Sequence, residues 1–291
     1  MTALLGTAFA SNSTTVCAKG LKMFVTRGTT EAMGQGSLGA VTKGIAAQIN
    51  GSIATPILYP ATEGNPVYFE SVANGTLLLR NALTDYVQKC PDSKIAVLGY
   101  SQGAQVTTNA LCGMPTMWGL NGLLGNVTTA QALQAYQTSN ALPQSVHEKI
   151  VSVVLFGDPS RSNSTSFSNY GTWNQSGNGL FYRNDWTACE TLGNRIRSYC
   201  DATDIMCDIG PLASVAVHEG YLKAYGQEVV KLVVQQYANF SNSGSQSDNA
   251  SNSSSIDTPS SSATSAHDGA MGLLSVIGLT VIAIFMMGIA I

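Results

Sequence analysis

The chain has 291 residues, of which 11% are charged, and its formal net charge is −3. That balance, with no cluster of Lys and Arg, argues against a nucleic-acid partner, because phosphate binding needs concentrated positive charge. Six cysteines and nine Asn-x-Ser/Thr sequons (Asn12, Asn50, Asn74, Asn126, Asn163, Asn174, Asn239, Asn249 and Asn252) point to an oxidising export route with glycosylation, rather than to a cytosolic enzyme.

Residues 1–10 are apolar and end in Ala8-Phe9-Ala10, a small-x-small cleavage pattern. They are short for an export signal and carry no basic residue. A truncated or atypical signal and an N-terminal tail are the two readings of residues 1–16.

Residues 21–26 (LKMFVT) read as a buried strand, and residues 53–59 as another. Residues 72–89 have helical apolar spacing through Leu77, Leu78, Ala82 and Tyr86, and stop at Cys90-Pro91. The run 94–98 (KIAVL) leads straight into Gly99-Tyr100-Ser101, and residues 102–111 then read as a helix ending near Gly113. A connection rich in Gly, Asn, Gln and Thr covers 114–145, followed by the β-branched strand 150–156 (IVSVVLF). A polar stretch runs from 160 to 184, residues 195–199 suggest a short strand, and residues 218–237 an amphipathic helix with Leu222, Tyr225, Val229, Val233 and Tyr237 on one side. Continuously apolar strands alternating with helices predict one parallel sheet covered on both faces.

From 241 to 269 the composition turns to Ser, Asn and Thr, which cannot bury enough apolar surface to fold, so a linker is expected. Residues 270–291 are uncharged and apolar to the last residue. A polar spacer followed by a terminal apolar tail is the pattern of a glycosylphosphatidylinositol signal, with attachment at a small residue among 260–265. A membrane-spanning tail is the alternative.

The chemistry centres on Gly99-Tyr100-Ser101-Gln102-Gly103, a G-x-S-x-G pattern between a predicted strand and a predicted helix. In that context the glycines permit a tight turn, and the serine hydroxyl stands at a helix N-terminus as a nucleophile. A serine nucleophile needs a base, and in this arrangement acid and histidine follow in that order. His147 precedes every candidate acid, His267 lies in the linker, and His218 remains. For the acid, Asp201, Asp204 and Asp208 in and beside the Cys200–Cys207 segment compete, with Asp158 at a strand end as a further option. A metal loop is disfavoured, because His is scarce nearby and no second Cys pair has zinc spacing.

These pieces resemble the cutinase and acetylxylan esterase family, carbohydrate esterase family five. They are Arg27-Gly28-Thr29-Thr30-Glu31, Gly99-Tyr100-Ser101-Gln102-Gly103-Ala104, Gly157-Asp158-Pro159, Tyr199-Cys200-Asp201-Ala202-Thr203-Asp204-Ile205-Met206-Cys207 and His218-Glu219-Gly220-Tyr221. The resemblance covers residues 17 to about 237 and implies a single-domain, three-layer α/β-hydrolase-like sandwich over 17–240. It implies Ser101 as nucleophile, Asp204 as acid, His218 as base, and Thr29 with Gln102 as the oxyanion hole. Thr29 stands where cutinases often carry Ser, and keeps both a hydroxyl and a backbone N–H. The implied bridges are Cys17–Cys90 and Cys200–Cys207, leaving Cys112–Cys189, a placement nearer to the acetylxylan esterases.

The expected partner is a polymeric ester, acetylated xylan or cutin, attacked without metal or other cofactor by a monomer held at the membrane through its tail. The stretch 160–186, with Tyr170, Trp173, Tyr182 and Trp186, either stacks sugar rings or packs inward. The rival of another class is a catalytically idle anchored wall protein.

Overall fold

The computed structural model describes residues 15–113, 141–165, 169–172 and 177–247. The signal-like residues 1–10, most of the 114–145 connection, Trp173, His267 and the apolar tail 270–291 lie outside the described residues. The chain divides into two units, Met1–Asn242 and Ser243–Ile291.

Six parallel strands form one sheet: β1 (Leu21–Thr26), β2 (Ile53–Pro56), β3 (Lys94–Tyr100), β4 (Ile150–Phe156), β5 (Asn169–Tyr170) and β6 (Ile196–Tyr199). Their spatial order is β2-β1-β3-β4-β6-β5. The helices are α1 (Gly39–Gln48), α2 (Tyr68–Lys89), α3 (Gln102–Cys112), the single turns α4 (Gln144–His147) and α5 (Val215–His218), and α6 (Tyr221–Ser247). All six residues of β1 and all seven of β4 are buried, as strands covered on both faces must be.

Alternate side chains divide the core into two layers. Phe24, Ile95, Val97, Val153 and Leu155 face Val72, Leu79 and Leu83 of α2 and Val106 and Leu111 of α3. Met23, Val25, Ala96, Leu98, Val154 and Phe156 face Val41 and Ile45 of α1 and Val229, Val230 and Val233 of α6. The result is the three-layer sandwich implied by the sequence. Three bridges are present, Cys17–Cys90, Cys112–Cys189 and Cys200–Cys207.

Several boundaries differ from the sequence reading. The second strand stops at Pro56, three residues early, where Ile57 N–H still donates to Val25 O before the chain turns away. The α2 helix starts four residues early, just after Pro66-Val67. Elements that went unread include α1, whose Gly-rich start lacks a side-chain cap, the short strand β5 inside the polar stretch 160–184, the turn α5, and a 3₁₀ segment at Thr187–Arg195. The last helix begins at Tyr221, since His218 ends a separate turn, and it continues to Ser247 through the start of the expected linker. Tyr237 and Phe240 packing on the sheet layer anchor that extension, and once a helix exists each added residue gains a hydrogen bond.

Strand order fixes where a site can lie. From β1 the chain first adds β2 on one side and then β3 on the other, so order reverses between β1 and β3. In such sheets the crevice outside the carboxyl ends at that reversal is where ligands bind. The ends there are Thr26 and Tyr100, directly before Arg27 and Ser101.

His147, set aside as a base from the sequence, is a buried bolt. Its Nε2 lies 3.1 Å from Leu111 O at the end of α3, and its Nδ1 3.1 Å from Thr191 Oγ1. Burial, opposed by the Leu111 carbonyl and reinforced by the Arg195 charge, holds its pKa below the usual histidine value. Such a group stabilises the fold above its unfolded pKa of about 6.5, and that contribution is lost as pH falls through the folded pKa. Asp158 acts with the opposite sign, because burial raises it to about 6, so the comparison must be made within a pair. We predict that His147→Gln flattens the fall of Tm between about pH 7 and pH 5 relative to the parent, measured by calorimetry.

Candidate active site

Ser101 stands between β3 and α3 with φ 53° and ψ −121°, left-handed backbone that a side chain adopts only under strain of about 1–3 kcal/mol. The neighbours enforce it. A Cβ at Gly99 would lie 2.7 Å from Ala104 Cα, and one at Gly103 would meet the carbonyl oxygen of Thr26. Ser101 N–H donates to Phe156 O at 2.8 Å, tying the turn to β4. The hydroxyl is thereby held at the mouth of α3, over the reversal of strand order.

Ser101 Oγ is 2.8 Å from His218 Nε2, and His218 Nδ1 is 2.8 Å from Asp204 Oδ2 and 3.0 Å from Oδ1. All three residues are buried, with Asp204 wholly inaccessible. The imidazole is gripped on several sides. Tyr100 stacks on it with centroids 5.5 Å apart, and Tyr100 O–H donates to His218 O. Gly157, at φ 58°, passes so close that a Cβ there would lie 2.7 Å from His218 Cε1. Ser214 caps the one-turn helix that ends in His218.

The carboxylate of Asp204 accepts from the N–H groups of Met206 at 2.6 Å and Cys207 at 2.9 Å, and from Tyr221 O–H at 2.7 Å. Burial alone would raise its pKa. The hydrogen bond and charge of His218, with the bonds from Tyr221 and Cys207, reverse that and hold it below the ordinary carboxylate value.

The other candidate acids have different employment, and none touches His218. Asp201 Oδ1 accepts from Thr172 N–H and from Tyr225 O–H, bolting the loop to the segment just after β5 and to α6. Asp208 accepts from Thr203 N–H, closing the turn that contains Asp204. Asp158 accepts from the N–H and O–H of Ser160.

Thr29 and Gln102 also meet here. Gln102 Nε2 donates to Thr29 Oγ1 at 3.2 Å and to Thr62 O at 3.0 Å, while its Oε1 accepts from Ser71 Oγ at 2.7 Å. The Thr29 hydroxyl, accepting from Gln102, is left to donate its own proton. As first residue of α3, Gln102 has a backbone N–H with no carbonyl partner in its own helix. Glu31 holds the loop through Gly28 N–H and Ser37 N–H. Among the described residues no cluster of His, Cys, Asp and Glu suits a metal ion.

Sequence reasoning named the motif residues but missed what steadies them: Tyr221, Gly157, Tyr100 and Ser71. Only Ser71 stood outside the quoted motifs, and nothing in the pattern of α2 marks it. Of the aromatics between 160 and 186, Trp186 is buried beneath the Arg183 guanidinium, Tyr170 lies against Arg197, and Tyr182 is 43% exposed.

A nucleophile aligned with an imidazole and a buried carboxylate can perform acyl transfer. Comparison with known proteins agrees. The family model "Cutinase" matches residues 17–237. The chain is 32% identical over 231 residues to an acetylxylan esterase of Hypocrea jecorina, covering 78% of this chain and 69% of that protein. It is 33% identical over 218 residues to Cutinase 11 of Verticillium dahliae, covering 73% and 67%. A solved acetylxylan esterase superimposes with a TM-score of 0.61 at 29% identity, over 76% of this chain and 100% of that one. The catalytic core domain of acetyl xylan esterase from Trichoderma reesei gives 0.58, also at 29% identity, over the same shares. The chain belongs to the cutinase family and is a carboxylic ester hydrolase.

Proposed function

We propose that the chain is an exported serine esterase that removes acetyl groups from xylan through Ser101, His218 and Asp204. The observation that carries the reading is the continuous array from Ser101 Oγ through His218 to a buried, ionised Asp204. His218 Nε2 takes the hydroxyl proton as Ser101 Oγ attacks the ester carbonyl. The N–H groups of Thr29 and Gln102, with the Thr29 hydroxyl, receive the developing oxyanion. Asp204 holds the imidazolium while the alcohol departs with the proton. Water, activated by the same imidazole, then releases the acid from the acyl-enzyme.

Acetylated xylan is favoured by the names of the relatives and by the third bridge, Cys112–Cys189. A second reading, cutin polyester, is favoured by exposed apolar side chains in segments near the proposed site residues in sequence or in space. These are Met33 after the Thr29 turn, Val67 after Thr62, and Leu212 and Val215 before His218. Export is supported by the three bridges, and glycosylation by exposed sequon asparagines at Asn50, Asn74 and Asn239. Anchoring through residues 270–291 rests on the sequence pattern. Among the described residues no helix is long and apolar enough to cross a membrane.

The test is secretion of the chain by an oxidising host, followed by assay on p-nitrophenyl acetate, butyrate and a long-chain ester, with acetic acid release from acetylated xylan. Ser101→Ala is expected to lower kcat by about 10⁴-fold or more on any substrate that is turned over. Acetate preference together with xylan deacetylation supports the proposal. Preference for long chains with polyester hydrolysis replaces it by the second reading, and full activity in Ser101→Ala removes both. Gly157→Ala, whose methyl group would displace the imidazole, is expected to lower kcat by about 10²-fold while far-ultraviolet circular dichroism stays native.

A further inference from the structure

We infer that Tyr221 is a positioning residue for hydrolysis, its hydroxyl fixing the carboxylate of Asp204 against His218. The inference rests on the proposed roles of Ser101, His218 and Asp204.

Tyr221 has one hydroxyl proton, and its surroundings leave one direction for it. Its oxygen accepts from Asp201 N–H at 2.8 Å, and Cys207 Sγ, 3.3 Å away, belongs to a bridge and has no proton to give. The remaining partner is Asp204 Oδ2, at 2.7 Å, the same oxygen that lies 2.8 Å from His218 Nδ1. A phenol in the interior must spend its proton on an acceptor, and a charge-assisted bond to a carboxylate is the strong form. Oδ1 is held separately by the N–H groups of Met206 and Cys207. Without Tyr221 the only group on Oδ2 would be the imidazole, and the carboxylate plane could rotate about the bonds to Oδ1.

The ring itself cannot move. It is fully buried, with centroids 5.9 Å from Phe156, 6.2 Å from Tyr225 and 6.4 Å from His218. A Cβ at Gly157 would come within 3.1 Å of its edge. Helix α6 begins at Tyr221, so the helix that covers one face of the sheet also sets the acid.

Other ionisable groups around this cluster are Asp201 and Asp208 in the acid loop and Glu219 beside His218. Tyr100 lies on the far face of the imidazole, and Asp158 follows Gly157. Tyr225 and Glu228 stand further along α6. Arg161, buried, donates to Cys207 O. None of these side chains donates to Asp204, so the Tyr221 hydroxyl is the only side-chain donor to that carboxylate, apart from His218, among the described residues.

The donor draws charge from Asp204 and so tempers its pull on the protonated imidazole. Removing it makes the carboxylate more basic and favours the imidazolium, so fewer molecules hold a neutral base at a given pH. In Tyr221→Phe the ring packing survives, and kcat is expected to fall about tenfold with KM little changed. The acid limb of kcat/KM should move to higher pH by some tenths of a unit. Site-specific 3,5-difluorotyrosine at 221, a stronger donor of the same shape, should move that limb to lower pH. Tyr199→Phe, which removes a buried hydroxyl bonded to Glu228, should leave the limb in place.

Opposite shifts in the two variants support the inference. An unmoved limb in a folded Tyr221→Phe and in the difluorotyrosine protein overturns it, whatever the change in Tm, because a purely structural tyrosine would lower stability without shifting the profile. If Tyr221→Phe does not fold, the difluorotyrosine protein decides alone. Loss of activity in Ser101→Ala beside an unmoved limb sinks the Tyr221 inference and spares the triad. Retained activity in Ser101→Ala sinks the triad reading itself.

Discussion

The carbonyl oxygen of Thr26 lies where a side chain at Gly103 would have to go, and that contact lets the first turn of α3 press against the end of β1. Thr26 Oγ1 reinforces the crossing by bonding to Gly103 O at 2.8 Å and Thr107 Oγ1 at 2.8 Å. With the helix held so near the sheet, only one residue is available to reverse the chain between β3 and α3. That residue is Ser101, and its left-handed backbone follows from the lack of room. The hydroxyl, the helix-start N–H of Gln102 and the Thr29 loop therefore come together because strand and helix cross closely, and the strain at one residue is borne by a sheet whose strands β1 and β4 are wholly buried.

Two inaccessible aspartates show how donors decide charge. Asp158 and Asp204 are both 0% exposed. Asp158 has its donors on one oxygen, both from Ser160, while its Oδ2 is buried without a hydrogen bond, and burial raises its pKa to about 6. Asp204 receives backbone donors on Oδ1 and both Tyr221 and His218 on Oδ2, so it stays ionised despite its burial. The short Cys200–Cys207 bridge, with a sequence separation of 7, closes the loop that points those backbone groups inward. A buried negative charge is then tolerable, because every lone pair has a partner of the right sign.

The polar support on the opposite side works through neutral groups. Ser71, in the first turn of α2, orients the Gln102 amide, and the amide orients Thr29. Thr62 N–H donates to Ser71 Oγ at 3.1 Å and Thr62 O receives Gln102 Nε2, so the loop after β2 closes the ring of bonds. The crevice is thus lined by loops from β1, β2 and β3, each leaving its strand at the same edge of the sheet.

Much of this was legible in the amino-acid order. Buried strands such as IVSVVLF declare themselves because both of their faces are apolar, and the alternation of strand and helix leaves a parallel sheet as the arrangement that buries them. Local motifs marked the turn at Ser101, because a glycine pattern follows directly from steric room. Composition also marked a change near residue 241, although the helix runs past it to Ser247 since Tyr237 and Phe240 still find the core. What the residues alone left open was which aspartate serves His218. Asp201, Asp204, Asp208 and Asp158 carry the same carboxylate, and the family resemblance, rather than their own pattern, favoured Asp204. Only the folded chain separates them on physical grounds. Which carboxylate reaches an imidazole 14 residues away depends on the bridge, the turn and the start of α6 meeting in space. The roles of Tyr221, Gly157 and Ser71 were hidden for the same reason: each acts through a contact between distant segments, and no local pattern encodes a distance.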